Sequence, residues 1–212
     1  LRLDISGSNL SGTNAGVTVE FWLKKKSFIT ASTQKEVIFD LWNGKATSSA
    51  EYGRFRLELS GTHVDESPFR ITLMSGANGF NNQIIGTGVN TASVANDKWQ
   101  HYAFSFSGSK TNVITKFYVS GTLNEEKSIG ATAVVEEVTG SMLANIGALV
   151  TAPSGNLLDN LGKGWGKLSA SIDEFRYWKV KRTSKEIGRN WFTQINGGTN
   201  EDQSKYNELN PV

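Results

Sequence analysis

Hydrophobic residues recur at every second position through much of the chain. Val17, Val19, Phe21 and Leu23 alternate with Thr18, Glu20, Trp22 and Lys24. Val37, Phe39 and Leu41 alternate with Glu36, Ile38, Asp40 and Trp42. Phe55, Leu57 and Leu59 interleave with Arg54, Arg56 and Glu58, and Phe69, Ile71 and Leu73 with Arg70 and Thr72. A period of two puts each set on its own face of an extended chain, so these segments predict half-buried strands. Leu1, Leu3 and Ile5 predict an opening strand by the same rule. Further along, Tyr102, Phe104 and Phe106 alternate with His101, Ala103 and Ser105 in a strand that starts at Trp99. Val113–Val119, Met142–Leu149 and Ser169–Trp178 predict three more. Asn43-Gly44, Ser60-Gly61, Gly108 and Ser120-Gly121 mark the breaks. Roughly ten strands at this spacing describe an all-β sandwich or barrel. Its predicted core includes Val19, Phe21, Phe39, Leu57, Ile71, Phe117 and Ile172.

One segment departs from that period. Thr183 to Glu186 reads as a capping box, with Ile187, Trp191 and Ile195 following at four-residue spacing. This predicts a short helix from Ser184 to about Gln194. Gly76–Asp97 and Thr151–Gly166 are Gly- and Asn-rich and read as long loops, which often carry function. Residues 1–195 then form one domain, and the polar, aperiodic 196–212 a tail or linker to another.

Composition narrows the function classes. With 212 residues the domain can bury a core without staples, and it has no Cys for disulfides or thiolate metal sites. The net charge is +2 with the signs interspersed. No basic stripe suggests nucleic acid, and no apolar run suggests membrane insertion. No leader is visible, so the chain reads as a domain of a longer protein, with other domains as partners.

The chemistry-bearing residues are few. Glycoside hydrolysis needs two carboxyl groups on one face of a site. Glu125-Glu126, Glu136-Glu137 and Asp173-Glu174 are adjacent pairs, which a regular strand turns to opposite faces. Glu174 shares a face with Arg176, so Asp173, Glu174 and Arg176 are expected to anchor structure. Two histidines, His63 and His101, lie far apart, and His101 reads as a core residue. Lys24-Lys25-Lys26 reads as a solvated, aggregation-blocking edge. Trp22, Trp42, Trp99, Trp178 and Trp191 read as packing residues. Trp165, between Gly164 and Gly166, reads instead as a ligand contact. Asn81, Asn82, Asp159 and Asn160 in the two loops are its candidate polar partners. The same loop oxygens admit calcium; no other cofactor is expected.

Five segments carry a family resemblance. VTVEFWLK (17–24), KWQHYAFSFSG (98–108), KFYVSGTL (116–123), ANIGAL (144–149) and GKLSASIDEFRYWKVKRTSKEI (166–187) resemble, in order, strands of laminin-G-like domains. These belong to the concanavalin A-like lectin/glucanase superfamily. The resemblance implies a jelly roll of two antiparallel sheets. It also implies a non-catalytic module that binds glycans or proteins, often with rim calcium. Glycosidases of that superfamily carry a Glu-x-Asp-x-x-Glu string, which is absent here. The expectation is a carbohydrate-binding module of an extracellular, cell-surface or virion protein. The alternative is a structural or protein-interaction domain, as on a phage particle, and the remote alternative a glycoside hydrolase.

Overall fold

The computed structural model describes residues 16–28, 35–108, 112–130, 141–150 and 166–193. Ten strands in these residues form two antiparallel five-stranded sheets. The first sheet uses β1 (Val17–Lys24), β6 (Trp99–Gly108), β7 (Asn112–Val119), β8 (Thr122–Gly130) and β10 (Ser171–Trp178), in the order β10-β1-β6-β7-β8. The second uses β2 (Lys35–Trp42), β3 (Gly53–Ser60), β4 (Phe69–Ser75), β5 (Asn78–Ile84) and β9 (Leu143–Ile146), in the order β5-β4-β3-β2-β9. Two short helices, α1 (Thr91–Val94) and α2 (Ser184–Asn190), complete the described residues. The alternating pattern predicts the all-β sandwich, and the two antiparallel sheets are the jelly roll that the family resemblance implies.

The inward sets meet in one core. Val19, Phe21, Phe39, Leu57, Ile71 and Phe117 are all buried, and Ile172 packs half-buried at its margin. Aromatic edges join the sheets: the Phe55 and Phe106 ring centroids lie 5.0 Å apart, those of Phe69 and Phe104 5.4 Å. T-shaped pairs of this kind add to area burial.

Several expectations need correction. Gly76–Asp97 is not one loop: it holds β5 and α1, because the positive φ of Gly76 and Gly79 makes a tight hairpin from β4. β8 is an additional strand, largely exposed and paired, among the described residues, only with β7. Helix α2 ends at Asn190, before Gln194. Lys25 is not a solvated edge residue. It is fully buried, and its Nζ donates to both Glu36 oxygens at 2.7 Å and to the Ser169 carbonyl. Its ion pair instead clasps the end of β1 to the start of β2. The predicted strand at 1–5 and the tail at 196–212 lie outside the described residues.

Candidate functional site: an aromatic cleft on the outer face of the first sheet

The outward set of β1 is Thr18, Glu20, Trp22 and Lys24. Glu20 is fully buried, because the segment around α2 lies over it. Arg182 Nη1 donates to Glu20 Oε1 at 2.9 Å, and His101 Nε2 stands 3.4 Å from Oε2. Burial works against the charge on Glu20, but the His101 contact and the Arg182 guanidinium outweigh it and hold the carboxyl below its usual range. The Arg182 backbone N–H donates to Thr18 Oγ1, and Ser105 Oγ donates to the Arg182 carbonyl. Helix α2 adds Ile187, buried with Ala103 and Tyr118. Just past the helix, Trp191 meets Trp22 at 5.4 Å and His101 at 5.9 Å, centroid to centroid.

Strand β10 is the edge beside this face, and it is not regular. Its register with β1 pairs Glu20 with Arg176 and Trp22 with Asp173, so Phe21 opposes two residues, Glu174 and Phe175. Glu174 takes φ +48°, the left-handed conformation of a β-bulge, and its N–H donates to Asp173 Oδ1 at 2.8 Å. The bulge corrects the reading of adjacent carboxylates. Asp173 and Glu174 do not diverge to opposite faces; both line the same cleft, together with Arg176.

That cleft has a volume of about 260 Å³. Its other walls are Trp22, Trp99, Phe192 and Thr193. Trp99 was expected to pack, yet it is 46% exposed, and Phe192 is 66% exposed. Trp99 shares the outward parity of His101 and sits opposite Lys24, just beyond the area that α2 covers. Arg176 Nη2 donates to Glu174 Oε2 at 3.0 Å and to the Thr193 carbonyl, and Nη1 to the Asn190 carbonyl. These bonds tie the end of α2 to the bulge. Among the described residues, no donor engages Asp173 Oδ2 or Glu174 Oε1.

Two of the residues expected to bind ligand fall elsewhere. Asn81 and Asn82 lie on β5, away from this cleft. Thr72 Oγ1 donates to Asn81 Oδ1 at 2.6 Å, and Lys35 Nζ to Asn82 Oδ1 at 2.9 Å. Asn82 lines a second, polar cleft of about 240 Å³ with His63, Glu66 and Arg70. Trp165, Asp159 and Asn160 lie outside the described residues. Sequence reasoning missed Trp99, Asp173 and Glu174 as cleft-lining groups. The outward parity of Trp99 was the one available signal.

The described loop groups do not suit calcium. The two amide oxygens already accept protein donors, one of them an ammonium, and Asp97 lies 3.7 Å from Lys24. No group of three or more His, Cys, Asp or Glu among the described residues is placed to hold a metal ion. Of the two cleft carboxylates, Asp173 is exposed and Glu174 is engaged by Arg176.

The Laminin_G_3 family model, described as the concanavalin A-like lectin/glucanases superfamily, matches residues 3–188. The chain belongs to this superfamily. No curated protein sequence matches the chain. Among solved structures, this superfamily member is similar to a SAP-like pentraxin from Limulus polyphemus, crystallised as a native heptamer. The identity is 14% and the TM-score 0.50, over 87% of this chain and 72% of that one. That likeness is one of fold. Domain 4 of AbnA, a GH43 extracellular arabinanase from Geobacillus stearothermophilus solved with arabinotriose, also matches. It has 17% identity and a TM-score of 0.40, over 85% of this chain and 68% of that one.

Proposed function

We propose that this laminin-G-like domain is a non-catalytic carbohydrate-binding module of a larger extracellular protein. One observation carries the reading: two strongly exposed aromatic rings, Trp99 and Phe192, flank a cleft whose Asp173 and Glu174 have unused carboxylate oxygens. Aromatic faces stack on the C–H surfaces of a sugar ring, while carboxylate oxygens accept from its hydroxyls. A few placed polar groups within an otherwise apolar wall are the usual make-up of a small-molecule site. Membership of a superfamily of lectins and glucanases supports the same reading.

The test is binding of soluble polysaccharides, by calorimetry or affinity electrophoresis, to wild type, Trp99→Ala and Asn82→Ala. Loss of a central aromatic contact weakens binding by at least about tenfold. We expect that loss in Trp99→Ala alone. If Asn82→Ala carries the loss instead, the site moves to the second cleft, lined by Asn82, His63, Glu66 and Arg70. If no polysaccharide binds, the reading fails. A protein-contact role then gains from the exposed Leu143 and Ile146 on edge strand β9.

A further inference from the structure

The cleft has an excess of unpaired negative charge. Among the described residues Arg176 is the only cation in its lining, and it is spent on Glu174 and on the carbonyls of Asn190 and Thr193. Lys24, the next cation along the outward face of β1, lies beside Asp97. Glu20, beneath the cleft, is matched by Arg182. Asp173 is left over. Its Oδ1 accepts the Glu174 N–H, the residue is exposed and lines the cleft, and no cation among the described residues forms an ion pair with it.

The register fixes what stands beside it. Asp173, Trp22 and His101 are direct cross-strand neighbours, so they lie about 4.8 Å apart in a row. Trp99 is two residues along β6 from His101, about 7 Å farther on the same face. A carboxylate, an indole face and a second, solvent-exposed indole therefore lie within the span of one or two sugar rings. A protonated amine suits this set better than a hydroxyl does. It forms a charge-assisted hydrogen bond to a carboxylate and is attracted to an aromatic face.

We propose that the cleft selects glycans bearing a free, protonated amino group, such as glucosamine polymers, over neutral and N-acetylated ones. The proposal rests on the glycan reading of the cleft and adds the class of sugar. Asp173 is the selecting residue, and Trp99 supplies stacking shared by every sugar. Asp173→Asn is a clean variant, because the amide oxygen can still accept the Glu174 N–H that holds the bulge while the charge is gone.

Three oligosaccharides of equal length discriminate: de-acetylated chito-oligosaccharide, its N-acetylated form and a cello-oligosaccharide. Binding is measured by calorimetry in mildly acidic, low-salt buffer. We expect the amino form to bind wild type most tightly, and to bind Asp173→Asn roughly tenfold more weakly, as for loss of a charged hydrogen bond. Added salt should reduce binding of the amino form to wild type and leave the weaker neutral forms unchanged. Equal binding of all three, unaffected by Asp173→Asn but lost in Trp99→Ala, overturns the amine preference and leaves the glycan reading intact. Absence of binding by all three overturns the amine preference, and the wider polysaccharide panel decides the glycan reading separately. A lysine-rich peptide that binds more tightly than the amino sugar, with the same dependence on Asp173, also overturns it in favour of a protein ligand.

Discussion

Gly121 turns β7 into β8 with φ +76°, and its missing side chain is where Trp191 sits. A Cβ there would stand 2.1 Å from Trp191 Cδ1. Gly121→Ala therefore combines backbone strain with a clash that an indole ring cannot rotate away from. We expect a loss of about 2 kcal/mol or more in urea unfolding, with Trp191 and the neighbouring Phe192 wall displaced. A loss under about 0.5 kcal/mol would mean that Trp191 does not dock against this turn. At this scale the sequence was an uneven guide. The Ser120-Gly121 turn was plain from its residue types. The bulge at Glu174 was not, because nothing marks a glutamate for left-handed backbone, a conformation that Gly or Asn usually fills. Lys25 also misled: a charged run looks solvated until Glu36, eleven residues away, supplies its partner.

Helix α2 has only seven residues, too few to be stable alone. Its start is fixed by a reciprocal cap: the Thr183 side chain accepts from the Glu186 N–H, and Glu186 Oε2 accepts from the Thr183 N–H at 2.6 Å. Thr183→Ala removes one half of that cap. We expect it to cost about 1 kcal/mol and to speed amide exchange in α2 ahead of the sheets, with Thr183→Ser restoring most of the loss. Uniform exchange across the fold would contradict the local role. This helix was legible because its chemistry is local, a capping box followed by Ile187 and Trp191. Strands with one apolar face were legible for the same reason. β8 was not, because an edge strand with little buried surface carries no alternation to read. β5 was hidden by the Gly and Asn residues of its own hairpin.

Across the molecule, two buried carboxylates oppose each other in their response to pH. Glu20 has its pKa lowered in the folded state despite burial. Its contribution is present above the unfolded value and lost as pH falls through the folded one. Glu58, on the outward face of β3, has its pKa raised: burial outweighs Arg56, whose Nε lies 3.0 Å away. The folded chain therefore takes up the Glu58 proton before the unfolded chain does, and acidification from neutrality stabilises the fold until the ordinary carboxylate range is reached. We expect stability to rise from neutrality into mild acid and then to fall. Glu58→Gln should flatten the rise and keep the fall, read as urea midpoints across pH. A rise of equal size in the variant would remove Glu58 as its source. The sandwich as a whole could be read from the sequence, since alternation reports which face is buried. The cleft could not: it forms where α2 stops covering the sheet, and that limit depends on a register and a bulge that no local pattern records.

The close approach of Trp22 and Trp191, 5.4 Å between ring centroids at 36°, has an optical consequence. Two indoles so near and so inclined couple their electronic transitions, giving a paired positive and negative band in far-ultraviolet circular dichroism. One chromophore belongs to the sheet and the other to the segment after α2. The band pair is therefore a label-free gauge of whether that segment is docked, readable even while both sheets stay folded.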